Sequence, residues 1–282
     1  MALPLTPPAG GKAQLRRKPK RRIIHVRGRY SRLETTHPWA MNRLLIVSLL
    51  ALGGCLNFDP PGLITFVIDD GQLTDYTVKR PIFDARGAVA VSAVITRHRH
   101  LSDAQLLAMQ ADGWEIASHS RTHIDEPGLT PAQLEDEIGG ARQDLEAIGL
   151  TVTTHVYPHG LTNFQVEQVT KKYYDAGVTV GGPVNTAPFF LPALGRKNFG
   201  RTYARPGRNT LDYYETLVDG ANHPGRWLIF MVHEVDSTDA ATLGHLLDYI
   251  RARSIPIVTI REGIRRFYLT APRVRSATIT EP

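Results

Sequence analysis

Leu63-Ile64-Thr65-Phe66-Val67-Ile68-Asp69-Asp70-Gly71 decides the architecture. Six residues run without a charge and without alternation, as in a parallel strand covered on both faces. Two carboxylates and a glycine follow at once, so the strand delivers acid groups at its C-terminal end. Pro60-Pro61-Gly62 breaks any regular structure just before it.

The pattern repeats outward from this strand. Gly87 precedes an apolar run over residues 88–95. Ser102 is placed to cap a helix through Asp112, with Leu106, Leu107 and Met109 inward and Gly113 as the stop. Residues 115–118 form a short strand leading into His119. Thr130-Pro131-Ala132-Gln133 is a capping box with proline at the first helical position. Its helix runs to Ile148, with Leu134, Ile138, Ala141, Leu145 and Ile148 on one face. Strands are expected over 152–157 and 178–180, with a helix between them that Asn163 or Thr162 caps. The stretch 181–208 reads as a long loop. A helix over 210–219, a buried strand over 227–232 ending at His233, a helix over 242–253, a strand over 257–259 and a closing segment 261–267 complete the order. Alternating strands and helices argue for an α/β fold with a parallel sheet. Asp69, Asp70, His119, Tyr157, His159 and His233 all fall just after strands, and in a β/α barrel such ends converge on one face.

Bulk properties fit one large domain. The chain has 282 residues, 42% hydrophobic and 21% charged, ordinary for a globular protein. The net charge of +6 is unevenly spread. Residues 1–55 hold eleven Lys/Arg and one acid, Glu34, which leaves 22 bases and 26 acids for residues 56–282. The body is therefore mildly acidic and offers no surplus for nucleic acid. The basic run is an appendage whose composition cannot bury a core.

Met41 begins a second feature. Asn42-Arg43 is followed by an apolar run over 44–52 and then Gly53-Gly54-Cys55. Nine helical residues span about 14 Å, short of the ~30 Å hydrocarbon core. The segment reads as a signal-peptide core rather than a spanning helix. Leu52-Gly53-Gly54-Cys55 resembles the lipobox of bacterial lipoproteins, which implies cleavage before Cys55, lipidation of its sulfur, and an exported protein held on the membrane facing the periplasm or cell surface. The expected layout is 1–57 as basic extension, signal peptide and linker, 58–268 as the folded domain, and 269–282 as a tail. No internal repeat is evident.

Four separated motifs carry chemistry: Ile68-Asp69-Asp70-Gly71, Ser118-His119-Ser120-Arg121-Thr122-His123, Tyr157-Pro158-His159-Gly160, and Met231-Val232-His233. In this order and spacing, over residues 62–267, the chain resembles the NodB-homology polysaccharide deacetylases (carbohydrate esterase family 4 type). The resemblance implies a distorted (β/α) barrel that releases acetate from N-acetylglucosamine-containing polysaccharides of the cell envelope or extracellular space. It implies a divalent cation on Asp70, His119 and His123, most simply zinc, with cobalt, nickel or iron suiting the same donors. Two imidazoles and a carboxylate leave positions open on such an ion. It further implies Asp69 as general base, His233 as general acid, and the Tyr157–His159 turn as the substrate and oxyanion side, through the backbone N–H of His159.

The chain departs from the family pattern in places. Val156 stands where the family often has arginine, His159 replaces the turn tyrosine, and no D-x-x-D-W element is visible between Val178 and Arg205. The Tyr-Pro form of the third motif resembles the subgroup acting on poly-N-acetylglucosamine. Members of that subgroup supply an arginine later in the chain, and Arg201, ahead of Arg205, is the residue expected to orient Asp69. Two other classes remain open on the residues alone. One is a non-catalytic sugar-binding scaffold. The other is a non-haem iron oxygenase, which would leave Asp69 and His233 without a role. His98 and His100 read as solvated loop, Trp114 as core, and Tyr173, Tyr174, Tyr213 and Tyr214 as helix packing.

Overall fold

The computed structural model describes residues 62–201 and 206–269. Cys55, the apolar leader segment and Arg205 lie outside the described residues. The founding strand is β1, Leu63–Ile68, buried at every position. It is followed by β2 (Val91–Val94), β3 (Glu115–Ser118), β4 (Thr154–Val156), β5 (Ala176–Val178), β6 (Asn185–Thr186), β7 (Lys197–Phe199) and β8 (Arg226–Val232). The sheet order is β5-β4-β3-β2-β1-β8-β6, with β7 also on β8. Every pairing is parallel except β6 with β8. An isolated parallel bridge from Val178 to Leu194 joins β5 to the chain just before β7. The sheet thereby curls back on itself as a distorted barrel.

The helices are α1 (Arg80–Asp84), α2 (Asp103–Ala111), α3 (Pro131–Leu134), α4 (Gly140–Glu146), α5 (Phe164–Tyr173), α6 (Leu211–Ala221), α7 (Ser237–Ala252) and α8 (Ile260–Leu269). Ser102 and Thr130 both form complete capping boxes, with Gln105 and Gln133, and Asn163 caps α5. Two π-helical stretches, Asp75–Lys79 and Glu135–Gly139, precede α1 and α4. Such wide turns recur near functional sites.

A period of two along each strand sorts the side chains. Ile64, Phe66 and Ile68 join Leu228, Phe230 and Val232 in the larger cluster, which also contains helix residues such as Phe83, Leu106 and Leu243. Phe66 stacks on Phe230 at 5.0 Å and meets the edge of Phe83 at 5.3 Å. Leu63, Val67, Trp227 and Ile229 belong to the second cluster, with Val258, Ile260 and Phe267. Full burial of each such side chain is worth about 1.5–3 kcal/mol. The second face is the one that matters for function. Continuing the alternation past the strand ends places Asp69, His119 and His233 in phase with Val67, Ala117 and Ile229.

Several expectations need correction. The stretch 181–208 is not a loop throughout: it holds β6, a 3₁₀ turn at Leu191–Ala193, and β7. Strand β5 ends where a strand was expected to begin, and Ile257 makes only an isolated bridge to Ile64. Leu107 is 39% exposed rather than inward. Helix α7 starts earlier than expected, because Asp236 accepts from the N–H groups of Thr238 and Asp239 and caps it.

Candidate active site

All four motifs meet at the C-terminal ends of the strands. A pocket of about 360 Å³ is lined by Asp69, Asp70, His119, His123, His159, Gly160, Val180, Met231 and His233. That volume lies at the lower end of the ~300–1,000 Å³ usual for ligand pockets. Strain is concentrated here. Four of the five described non-glycine residues with positive φ are Asp70, Ser120, His123 and His159, a conformation that persists only where the surroundings over-determine it. Gly71 also has positive φ, and an added Cβ would approach Val94 Cα to 3.1 Å. This explains the glycine after the two carboxylates.

Asp70, His119 and His123 offer three donor atoms within 4.8 Å of one another. Asp70 Oδ1 lies 3.6 Å from Nε2 of each histidine, and the two Nε2 atoms are 3.2 Å apart. Tetrahedral donors at 2.0–2.1 Å from one ion would sit about 3.4 Å from each other, so the donor set fits a small divalent cation. The protonation states agree. His119 Nδ1 donates to the Val156 carbonyl at 2.7 Å, which leaves Nε2 as the lone-pair nitrogen facing Asp70. Burial pushes His119 down to about 3 and also lowers His123, so both rings are neutral, as ligands must be.

Asp69 has a different environment. It is almost wholly buried, and Arg196 Nη1 donates to its Oδ1 at 2.6 Å. Burial alone would raise its carboxyl. The Arg196 guanidinium outweighs that, by charge and by hydrogen bond, and holds it below the usual carboxylate range. Arg196 is itself oriented by donation from Nε to the Thr179 carbonyl at 2.9 Å. His233 Nε2 lies 3.7 Å from Asp69 Oδ2. The two groups face each other directly.

Two expected site residues are not where the sequence suggested. Arg201 does not reach Asp69: it pairs with Asp236 and, at 3.6 Å, with Asp239 on the loop and first turn of α7. Arg196, at the foot of β7, takes the place beside Asp69. Tyr157 does not face the pocket either. Its ring is fully buried and its hydroxyl donates to the Pro192 carbonyl at 2.6 Å, which ties the turn to the 3₁₀ segment. His159 does line the pocket. Its ring meets the edge of His123 at 4.5 Å, and its Nδ1 lies 2.6 Å from Asp125 Oδ1.

Sequence reasoning also missed Glu137. Its carboxylate accepts from the N–H groups of Arg121 and Thr122 at 3.0 and 2.9 Å and from the Thr122 hydroxyl at 2.9 Å. It therefore holds the backbone between His119 and His123. The signal was present as the acidic run after the capping box.

The family model described as polysaccharide deacetylase matches residues 59–179. This segment is similar to the polysaccharide deacetylase family. The match spans three of the four motifs, and the fourth, with His233, lies beyond it. The "Putative polysaccharide deacetylase YxkH" of Bacillus subtilis (strain 168) is 31% identical over 123 residues, which is 42% of this chain and 43% of that protein. The similarity thus spans less than half the length of this curated relative. Among solved structures, the Xyl-CE4 domain of a multidomain xylanase from the hindgut metagenome of Trinervitermes trinervoides superposes with a TM-score of 0.56. It is 16% identical, over 73% of this chain and 91% of that one. A CE4 family pseudoenzyme from Bacillus anthracis superposes with a TM-score of 0.54 at 14% identity, over 72% and 66% of the two chains. At these identities the structural likeness speaks for the polysaccharide deacetylase fold alone: a distorted β/α barrel.

Proposed function

We propose that this protein is a divalent-cation-dependent hydrolase that removes N-acetyl groups from an N-acetylglucosamine-containing polysaccharide of the cell envelope or extracellular space. The products are acetate and a free amine on the sugar. One observation carries the reading: a buried carboxylate, Asp69, held ionised by Arg196 and facing His233, stands beside three convergent cation donors.

A cation bound by Asp70, His119 and His123 supplies Lewis-acid polarisation of the acetyl carbonyl and makes water a better nucleophile. Zinc suits this donor set, and cobalt, nickel or iron would also be held. The remaining work falls to the protein. Asp69 takes the proton of the attacking water as the new C–O bond forms. His233 gives a proton to the amide nitrogen as the C–N bond breaks. Arg196 keeps Asp69 ionised and fixes its second oxygen toward the pocket. The turn at His159, with its positive φ, supplies a backbone N–H as the candidate donor to the developing oxyanion. The apolar walls from Val180 and Met231 suit the acetyl methyl.

A non-catalytic scaffold remains the competing reading, since the fold also occurs in a protein named as a pseudoenzyme. The presence here of base, acid and three cation donors together favours catalysis. Acetate release from a panel of N-acetylated glycans, with and without chelator, decides between them. No release from any glycan at saturating zinc, cobalt or nickel would sink the enzymatic reading.

Export and membrane attachment through Cys55 form part of the proposal, resting on the apolar run 44–52 and Gly53-Gly54-Cys55. The layout with the folded domain over 58–268 goes with it. Mass spectrometry of the mature N-terminus tests this, and a chain still carrying Met41 would contradict it.

A further inference from the structure

Behind the two ligand histidines lies a buried polar array that the proposed chemistry does not use. His155 Nε2 is 2.9 Å from Glu126 Oε1, and His155 Nδ1 is 3.2 Å from Ser118 Oγ. Ser118 and His155 are cross-strand partners on β3 and β4. Both point to the side opposite His119, where the His155 ring packs against Tyr157 and Tyr174. All three residues of the array are completely buried.

A serine, a histidine and a glutamate in line invite a hydrolytic reading. The geometry rejects it, because a hydroxyl with no access to solvent meets no substrate. What the array touches is the frame of the cation site. Ser118 is bonded to His119. His155 is bonded to Val156, whose carbonyl accepts from His119 Nδ1. Glu126 is the third residue after His123. The array therefore pins both ends of the segment 119–126 to the strand pair.

That segment needs pinning. Ser120 and His123 both have positive φ, a conformation that persists only where the surroundings hold it. Glu137 holds the middle of the segment from one side, and the array holds its ends from the other. Stability alone is a poor account of the array. Desolvating a buried charged or polar pair costs several kcal/mol, and apolar replacements of similar volume are often neutral or stabilising. Moreover, Glu126 Oε2 is buried with no hydrogen-bond partner among the described residues, which adds to the cost.

We propose that Glu126, His155 and Ser118 are positioning residues that preform the cation site, fixing the rings of His119 and His123 and so setting affinity for the ion. The proposal rests on reading Asp70, His119 and His123 as cation donors. Groups bonded to the far nitrogen of a metal-ligating histidine typically set affinity by 10–100-fold, and the array acts on one such group, the Val156 carbonyl, through the backbone of β4.

The decisive variant is the double substitution Glu126→Leu with His155→Phe in the full chain. It replaces two of the three buried polar partners by apolar side chains of comparable shape, so the apoprotein should stay folded and melt near the parent temperature. Zinc affinity, read by competition with a chromogenic chelator, should weaken by about 10–100-fold. Parent-like affinity in a folded double variant would overturn the proposal. Should the double variant fail to fold, Glu126→Gln and Ser118→Ala keep the shape. Each should weaken zinc binding without lowering the apo melting temperature in proportion, and parent-like affinity in both would again overturn it. A parent that binds no zinc would instead refute the cation reading itself, so the two failures are distinguishable.

Discussion

Arg196 and Asp69 form an almost wholly buried ion pair, 2.6 Å from Nη1 to Oδ1, across 127 residues of sequence. The pair gives the two adjacent carboxylates different environments, as the proposed roles of Asp69 as base and Asp70 as cation donor require. Asp69 has its Oδ1 occupied by a guanidinium, and only Oδ2 faces His233. Arg196→Gln should therefore lower kcat/KM on the order of 10²-fold, the usual cost of loosening a catalytic group. The sign of the pH effect is fixed as well. Arg196 holds the Asp69 carboxyl low, so without it the carboxyl rises and the acid limb of the kcat/KM profile moves to higher pH. A profile that falls in height without shifting would show that Arg196 acts on shape alone.

Arg201 provides the matched control. It is about half exposed and pairs with Asp236 and Asp239 rather than with Asp69. Exposed pairs of this kind contribute ~0–1 kcal/mol. Arg201→Gln should leave the pH profile in place and change kcat/KM by less than about threefold. A loss comparable to that of Arg196→Gln would restore Arg201 to the site.

The contrast between these two arginines shows what the sequence made legible. Asp69, Asp70, His119 and His233 each fall just after a strand, with His123 one turn beyond His119, and parallel strands bring their C-terminal ends to one face. Their convergence could be read without coordinates. Arg196 could not be found this way. Its strand, β7, has three residues, too few to show a period, and it lies among Gly181, Gly182, Pro183, Pro192 and Gly195, which read as loop. Tyr157 misled for the opposite reason. It follows β4 as the others follow their strands, but alternation turns it outward to Pro192 while His159 turns in. His155 was hidden in a strand of three residues, Thr154–Val156, too short to carry a periodic signal.

The two carboxylates should separate cleanly by substitution. Asp69→Asn removes the proton acceptor but none of the three cation donors, so turnover should fall by 10²–10⁴-fold or more while zinc affinity stays near the parent value. His119→Ala removes a donor whose other nitrogen is anchored to Val156, so zinc affinity and turnover should fall together. Calorimetric zinc titration alongside acetate release checks both. Near-parent turnover in Asp69→Asn would show that the base has been misassigned.

A buried polar group ties the segment after β1 to β2 and to the loop after β8. Lys79 is completely buried, with Nζ 3.0 Å from Asp75 Oδ1 and 3.0 Å from Thr74 Oγ1. Asp75 also accepts from Ser92 on β2, and Thr74 donates to Glu234, the neighbour of His233. These contacts join the loops that follow β1 and β8. Burial pushes Asp75 up to about 6, against the opposing pull of Lys79 and Ser92. Because this folded value lies above the unfolded one, the ionised carboxylate is a liability: stability is greatest below about pH 4 for this group and is lost as pH rises through about 6. Lys79→Met would strip the main offsetting charge and leave Asp75 buried. The expected loss is about 3–5 kcal/mol at pH 8, and clearly less at pH 5, where the carboxyl can take up a proton. Urea denaturation at the two pH values measures the difference. An equal loss at both would mean that Lys79 matters through the packing of its methylenes and that the buried charge pair contributes nothing.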